Sequence, residues 1–166
     1  MLCVGRRRYA QGVDPLFELG LSIKALQREL ERQANEAMHP LGLTGAQADA
    51  IVVIGQAGTL SLKELGELVI AEGGHPSRLV DRLVEADLVE RRAAGDDRRR
   101  IELRLTAKGR RLQRRALAVR ARLLATGHEA IGDRDLEPAL ALLRELLQLT
   151  SFAELVDRRR ELLERD

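Results

Sequence analysis

Arginine supplies most of the chemistry this chain can do. Arg78 and Arg82 stand four residues apart in the run Pro76-Ser77-Arg78-Leu79-Val80-Asp81-Arg82-Leu83-Val84, opposite the apolar positions Leu79, Val80 and Leu83. A guanidinium projecting from the first turn of an exposed helix can bridge O6 and N7 of guanine. Ser77 beside it can donate to a base edge or a phosphate, or simply cap the helix; His75 lies just before. Arg82, one turn on, either meets a phosphate or pairs with Asp81 or Glu85. Downstream, Gly95-Asp96-Asp97 is turn chemistry, and Arg98, Arg99 and Arg100 follow it directly. Arginines at a hairpin tip suit the enhanced negative potential of a narrow minor groove. Asp97 among them is costly near a polyanion unless it braces Arg99.

These residues belong to a lopsided charge distribution. From Leu88 to Arg115 the chain carries 11 Lys/Arg against 4 Asp/Glu, and the remaining residues carry 17 against 22. A basic segment on an acidic body marks a surface that meets nucleic acid. Arg110, Arg111, Arg114 and Arg115 extend the basic run, some toward a nucleic-acid backbone and some as ordinary solvated surface.

Other chemistries find little support. The single cysteine, Cys3, rules out an intramolecular disulfide framework, and His39, His75 and His128 are too scattered for a metal site. No cofactor motif is present. No nucleophile–base pair, phosphate-binding glycine loop or metal constellation points to an enzyme. No apolar run is long enough to span a membrane, and Arg6-Arg7-Arg8 lacks the apolar stretch of a signal peptide. A cytoplasmic protein is expected. Cys3 sits in a basic tail with no partner site, so it reads as an ordinary thiol rather than a sensor.

The elements that must position the arginines can be read in order. Residues 1–13 form a basic tail. Asp14-Pro15 caps and opens a helix with Leu16, Leu19, Ile23, Leu26 and Leu30 on one stripe, ending near Met38. Thr44-Gly45-Ala46-Gln47 and Ser61-Leu62-Lys63-Glu64 are capping boxes. The first opens an apolar helix to Gly58; the second opens a short helix ending near Val69-Ile70. Gly73-Gly74 turns the chain, and Pro76 starts the arginine-bearing helix. Leu88–Arg92 is a strand. Ile101, Leu103 and Leu105 alternate with Glu102 and Arg104 in a second strand with one core face. Thr106 caps a long helix to about Thr126 with Leu112, Ala116, Val119 and Leu123 inward, and Gly127 and Gly132 punctuate its end. A leucine-dense helix spans roughly residues 135–149, and Ser151-x-x-Glu154 caps a charged final one. With Tyr9, Phe17 and Phe152 as its only aromatics, the core is aliphatic.

The expected fold is mainly α with a small β-hairpin wing: a winged helix-turn-helix lobe plus a helical dimerisation region. Its parts are the tail (1–13), a dimerisation helix (14–43), the lobe (44–105), and residues 106–166, which hold a connecting helix, a dimerisation helix and the terminal helix. The first and leucine-dense helices carry more apolar surface than one lobe can cover, which is expected of an interface.

Three segments at fixed spacing carry a resemblance: Arg78 through Arg92, Asp97-Arg98-Arg99, and Leu105-Thr106-Ala107-Lys108-Gly109. Together they resemble the multiple-antibiotic-resistance regulator (MarR) family of winged-helix transcription factors, over about residues 15–148. The resemblance implies a homodimer whose first and last helices form the apex. Two lobes then grip a palindromic operator in double-stranded DNA. It places Ser77 and Arg78, with His75 nearby, in the major groove, Arg99 in the minor groove and Asp97 as its partner. It also implies a small-molecule effector in a cleft lined by Leu19, Met38, His39, Gln47 and Ile51. The mechanism it implies is repression by occlusion, relieved when a signal changes the spacing of the recognition helices. The alternatives are a winged-helix protein-interaction module and a one-cysteine redox-sensing repressor. The sequence departs from the family pattern at Asp87, where glycine is usual before the first wing strand, at Gly74-His75-Pro76, and in the helix after Thr150.

Overall fold

The computed structural model describes residues 13–70, 76–93 and 101–164. Its order is α1 (Pro15–Met38), a single 3₁₀ turn (His39–Leu41), α2 (Gly45–Ala57), α3 (Leu62–Gly66), α4 (Pro76–Glu85), β1 (Val89–Ala93), β2 (Ile101–Leu105), α5 (Ala107–Ile131), α6 (Glu137–Leu147) and α7 (Ala153–Glu164). This is a winged-helix lobe, α2 to β2, carried on long helices, as the sequence pattern predicts.

Local chemistry sets most helix starts. The Asp14 carboxylate accepts from the Leu16 amide at 2.8 Å, and Pro15 needs no partner in the first turn. Both capping boxes form: Thr44 with Gln47 and Ser61 with Glu64 exchange side-chain and backbone hydrogen bonds at the starts of α2 and α3. Thr106 caps α5 by accepting from the Gly109 amide at 2.9 Å.

The core lies within the lobe. In α2, Ala48, Ala50, Ile51, Val52, Val53 and Ile54 are all buried, so this helix is the lobe's centre. Leu65 of α3, Val80 and Leu83 of α4, Leu88, Val89 of β1, and Leu103 and Leu105 of β2 close around it. Each fully buried aliphatic side chain of this kind contributes roughly 1.5–3 kcal/mol over an exposed one.

The wing is an antiparallel pair in which Val89 faces Leu105 and Arg91 faces Leu103. Leu60 adds a short bridge to Leu103, its amide and carbonyl both bonded to that residue, at 3.4 and 2.7 Å. The hairpin is thereby tied to the segment between α2 and α3.

Several boundaries differ from the sequence expectation. α3 stops at Gly66, not Val69-Ile70, because the Leu68 and Val69 amides both turn back to the Leu65 carbonyl and drop Val69 into the core. β1 begins one residue late, at Val89. Ile101 was expected inward but is exposed, since it lies at the end of the wing beyond the lobe's core. α5 runs through Gly127 to Ile131 and ends at Gly132, which takes a positive φ of 63°. One glycine inside a long helix costs only about 1 kcal/mol relative to alanine, too little to stop it. α6 starts at Glu137, whose amide bonds the Asp135 carboxylate at 2.9 Å. α7 starts at Ala153 rather than from a Ser151 cap; Thr150 Oγ1 instead accepts from the Phe152 amide at 3.2 Å.

The α1 stripe is not covered within the chain. Leu16, Leu26 and Leu30 are exposed, as are Phe17 and Leu21 beside them and Leu140, Leu142 and Leu143 of α6. No described helix is long and apolar enough to cross a membrane.

Candidate nucleic-acid interface

α4 holds its arginines outward by anchoring the opposite face. Val80 and Leu83 are fully buried, and Pro76 packs against Gly66 of α3, where an added Cβ would stand 3.3 Å from the proline ring. Helical periodicity then puts Ser77, Arg78 and Arg82 in solvent. Neither Arg78 nor Arg82 makes a hydrogen bond or ion pair with any described residue. Asp81, offered by the sequence as a partner for Arg82, binds Arg91 of β1 instead, at 2.5 Å. That pair joins α4 to the wing and leaves both α4 guanidiniums available to a polyanion.

The corner between α4 and β1 explains the sequence pattern around it. Asp87 has a φ of 56°, the left-handed conformation that glycine usually supplies and that Asp tolerates better than most residues. Thr106 Oγ1 donates to the Asp87 carbonyl at 2.7 Å, and its amide donates to the Leu88 carbonyl at 3.1 Å. Lys108 Nζ donates to the Ala86 carbonyl at 2.7 Å. Gly109 touches the same corner: an added Cβ would sit 2.0 Å from the Leu88 oxygen. The Leu-Thr-x-x-Gly segment is therefore the joint that fixes the wing to α5.

Beside this joint an open groove of about 910 Å³ runs between the wing's outer face and the start of α5. Arg104 and Arg111 line it. Arg92 is engaged by Glu90 at 2.9 Å, and Arg110 by the Leu105 carbonyl at 2.8 Å. Arg114 and Arg115 are exposed farther along α5.

His75, Asp97, Arg98, Arg99, Arg100 and Cys3 lie outside the described residues, as do the Gly73-Gly74 turn and the Gly95-Asp96-Asp97 tip. The five residues expected to line an effector cleft do not converge within the chain. Met38 and Ile51 are core, at 6% and 0% exposure, because the first turns of the lobe need their apolar bulk. Leu19 and Met38 sit nearly the whole of α1 apart, about 28 Å at the helical rise, and His39 is exposed on the 3₁₀ turn. Gln47 alone lines a cleft of about 520 Å³, in the company of Asn35, Asp49, Leu79, Arg78 and Arg82.

Sequence reasoning missed one polar cluster. Asp49, the lone charge in α2, binds Arg120 of α5 at 3.0 Å and Arg159 of α7 at 2.5 Å. A single carboxylate in an otherwise apolar helix was the available signal. Its partners lie 71 and 110 residues away, beyond the reach of periodicity. No group of three or more His, Cys, Asp or Glu suited to a metal occurs among the described residues.

Comparison with known proteins agrees with this geometry. A family described as a winged helix DNA-binding domain matches residues 43–109. The multiple antibiotic resistance protein MarR of Escherichia coli is 31% identical over 96 residues, 58% of this chain and 67% of that protein. The organic hydroperoxide resistance transcriptional regulator of Bacillus subtilis is 25% identical over 131 residues, 78% of this chain and 89% of that one. The crystal structure of a mutant Escherichia coli MarR complexed with operator DNA superposes with a TM-score of 0.57 at 25% identity, covering 91% of this chain and 94% of that chain. With 31% identity over an alignment that spans two thirds of MarR, and the same lobe, the chain belongs to the MarR family of DNA-binding transcription regulators.

Proposed function

We propose that this chain is a cytoplasmic repressor that binds a palindromic operator as a homodimer. The observation that carries the reading is the pair of guanidiniums, Arg78 and Arg82, unpartnered among the described residues and on the exposed face of a helix locked from behind. In this reading α4 enters the major groove, with Arg78 toward a guanine edge and Arg82 toward phosphate. Ser77 and His75 stand at its entry. Arg99, braced by Asp97 between Arg98 and Arg100, enters the minor groove. The exposed leucine faces of α1 and α6 supply the partner surface: apolar area this extensive calls for a second copy, and a two-fold dimer matches a palindrome. Residues 14–43 and the α5–α6 region then form the apex, and residues 44–105 the reading lobe. An effector, in this account, is anionic and small, and occupies the Arg78 and Arg82 side of the cleft between α1, α2 and α4, away from the Glu31 and Asp49 carboxylates that also line it. Bound there, it competes with DNA for both arginines.

The test is a titration of full-length protein with a duplex it selects from a random library and with an unselected duplex. Arg78→Ala is expected to narrow the gap between the two. Equal weakening of both would make Arg78 a phosphate contact.

A further inference from the structure

The terminal helix does not extend the leucine-rich face of α6. It folds back onto the reading lobe. Leu162 packs against the core cluster, and Arg158 forms ion pairs with Glu67 after α3 and, at 3.6 Å, with Glu154. Arg159 reaches deepest, its side chain 14% exposed. Its Nη2 donates to Asp49 Oδ1 at 2.5 Å and its Nη1 to the Leu68 carbonyl at 3.1 Å. Burial pulls this guanidinium below its usual range, opposed by the attraction of Asp49.

One side chain thus joins α7 to two places that matter for α4. Leu68 lies two residues past the end of α3, on the way to α4. The same Asp49 oxygen also accepts from Arg120 of α5, and Asp49 lines the cleft that Arg78 and Arg82 border. Buried ion pairs add little net stability, because desolvation offsets their attraction; their better-attested contribution is to fix one arrangement among several. Here the arrangement fixed is that of the α3–α4 corner on the α2–α5 frame.

We infer that Arg159 is a positioning residue for DNA recognition: by tying α7 to Asp49 and to the Leu68 carbonyl, it sets the angle at which Arg78 and Arg82 meet the duplex. The inference rests on the DNA-binding reading above. Because α6 runs directly into α7, this tie also gives the lobe an attachment to the proposed dimer apex besides α1 and α5. It touches no nucleotide.

The experiment compares full-length wild type, Arg159→Met and Arg159→Lys, by fluorescence anisotropy. Each is titrated with a duplex that the wild type has selected from a random library, and with a random duplex. Methionine keeps the apolar stem, and Asp49 keeps Arg120, so no buried charge is stranded. Arg159→Met is expected to bind the selected duplex about ten-fold more weakly, with random-duplex affinity within two-fold of wild type, since Arg82 is one phosphate contact among several and the cations of β2 and α5 do not depend on the angle of α4. Arg159→Lys keeps the charge but not the two-acceptor fork, so an intermediate selected-to-random ratio is expected. A folded Arg159→Met protein with a wild-type ratio would overturn the proposal, and so would equal losses on both duplexes. Should thermal unfolding show Arg159→Met unfolded, the lysine variant decides: an unchanged ratio overturns the proposal, a reduced one supports it. If the wild type itself selects no duplex, the DNA-recognition reading falls, and the role of Arg159 falls with it.

Discussion

Arg78 and Gly109 act by opposite means, one by the side chain it projects and the other by the side chain it lacks. Arg78 stands clear of every described neighbour, so its guanidinium keeps its donors for an incoming ligand. A bidentate contact to guanine is worth about 1–3 kcal/mol of discrimination. Arg78→Ala is therefore expected to lower the ratio of specific to random binding by roughly five- to hundred-fold, measured by competition at fixed salt. Gly109 allows α5 to lie against the Leu88 carbonyl, 2.0 Å from where a Cβ would stand. Gly109→Ala must push strand and helix apart and disturb the bond from its amide to Thr106. Overpacking of this kind costs about 1–3 kcal/mol, occasionally more. Urea denaturation is expected to show a lower midpoint with an unchanged slope; a wild-type midpoint would mean the joint is looser than the geometry requires. Arg78 was legible in the sequence because the helical period fixes which face Leu79, Val80 and Leu83 bury. Asp87 was legible through its turn chemistry. Asp49 and Arg159 were not, because nothing local in either segment indicates that α7 returns to α2.

Elements with strong local signals appear where the sequence places them. α1 and α2 begin at their caps, and α4 begins at Pro76, because those starts depend on residues within one turn. Ends were harder. α3 ends early because the burial of Val69, a tertiary preference, overrides the helical continuation. α5 continues past Gly127 because a long helix absorbs one glycine. α7 posed a different problem, since its alternating charges gave no hint of which side is covered. The apolar faces of α1 and α6 make the sharpest prediction at this scale. Leu140, 41% exposed in the single chain, lies on the α6 face proposed to be buried between subunits. Leu140→Glu would bury an unpaired carboxylate there, at a cost of several kcal/mol. Sedimentation at micromolar concentration is expected to show a dimer for the wild type and largely monomer for the variant. A variant dimer as tight as the wild type would place the interface elsewhere.

At the scale of the molecule, charge and shape point to the same surface. Net charge is only +2, so attraction to DNA rests on the concentration of arginine from Leu88 to Arg115 and on α4 beside it. Binding by such a surface weakens steeply with salt, as each neutralised phosphate releases counterions. Non-specific attraction of this kind follows from charge alone, whereas the palindrome proposed above needs two lobes at a fixed spacing, and the sequence pointed to a second copy only through its surplus of apolar helix faces. The central claim is that a dimer reads a palindrome through two copies of α4, and affinity selection of a random duplex library by the purified full-length protein tests it most directly. The account predicts an enriched inverted repeat whose half-site centres are separated by about one helical turn, 10–10.5 base pairs, or a multiple of it. Enrichment of a single unrepeated half-site, or of no sequence at all, would contradict it.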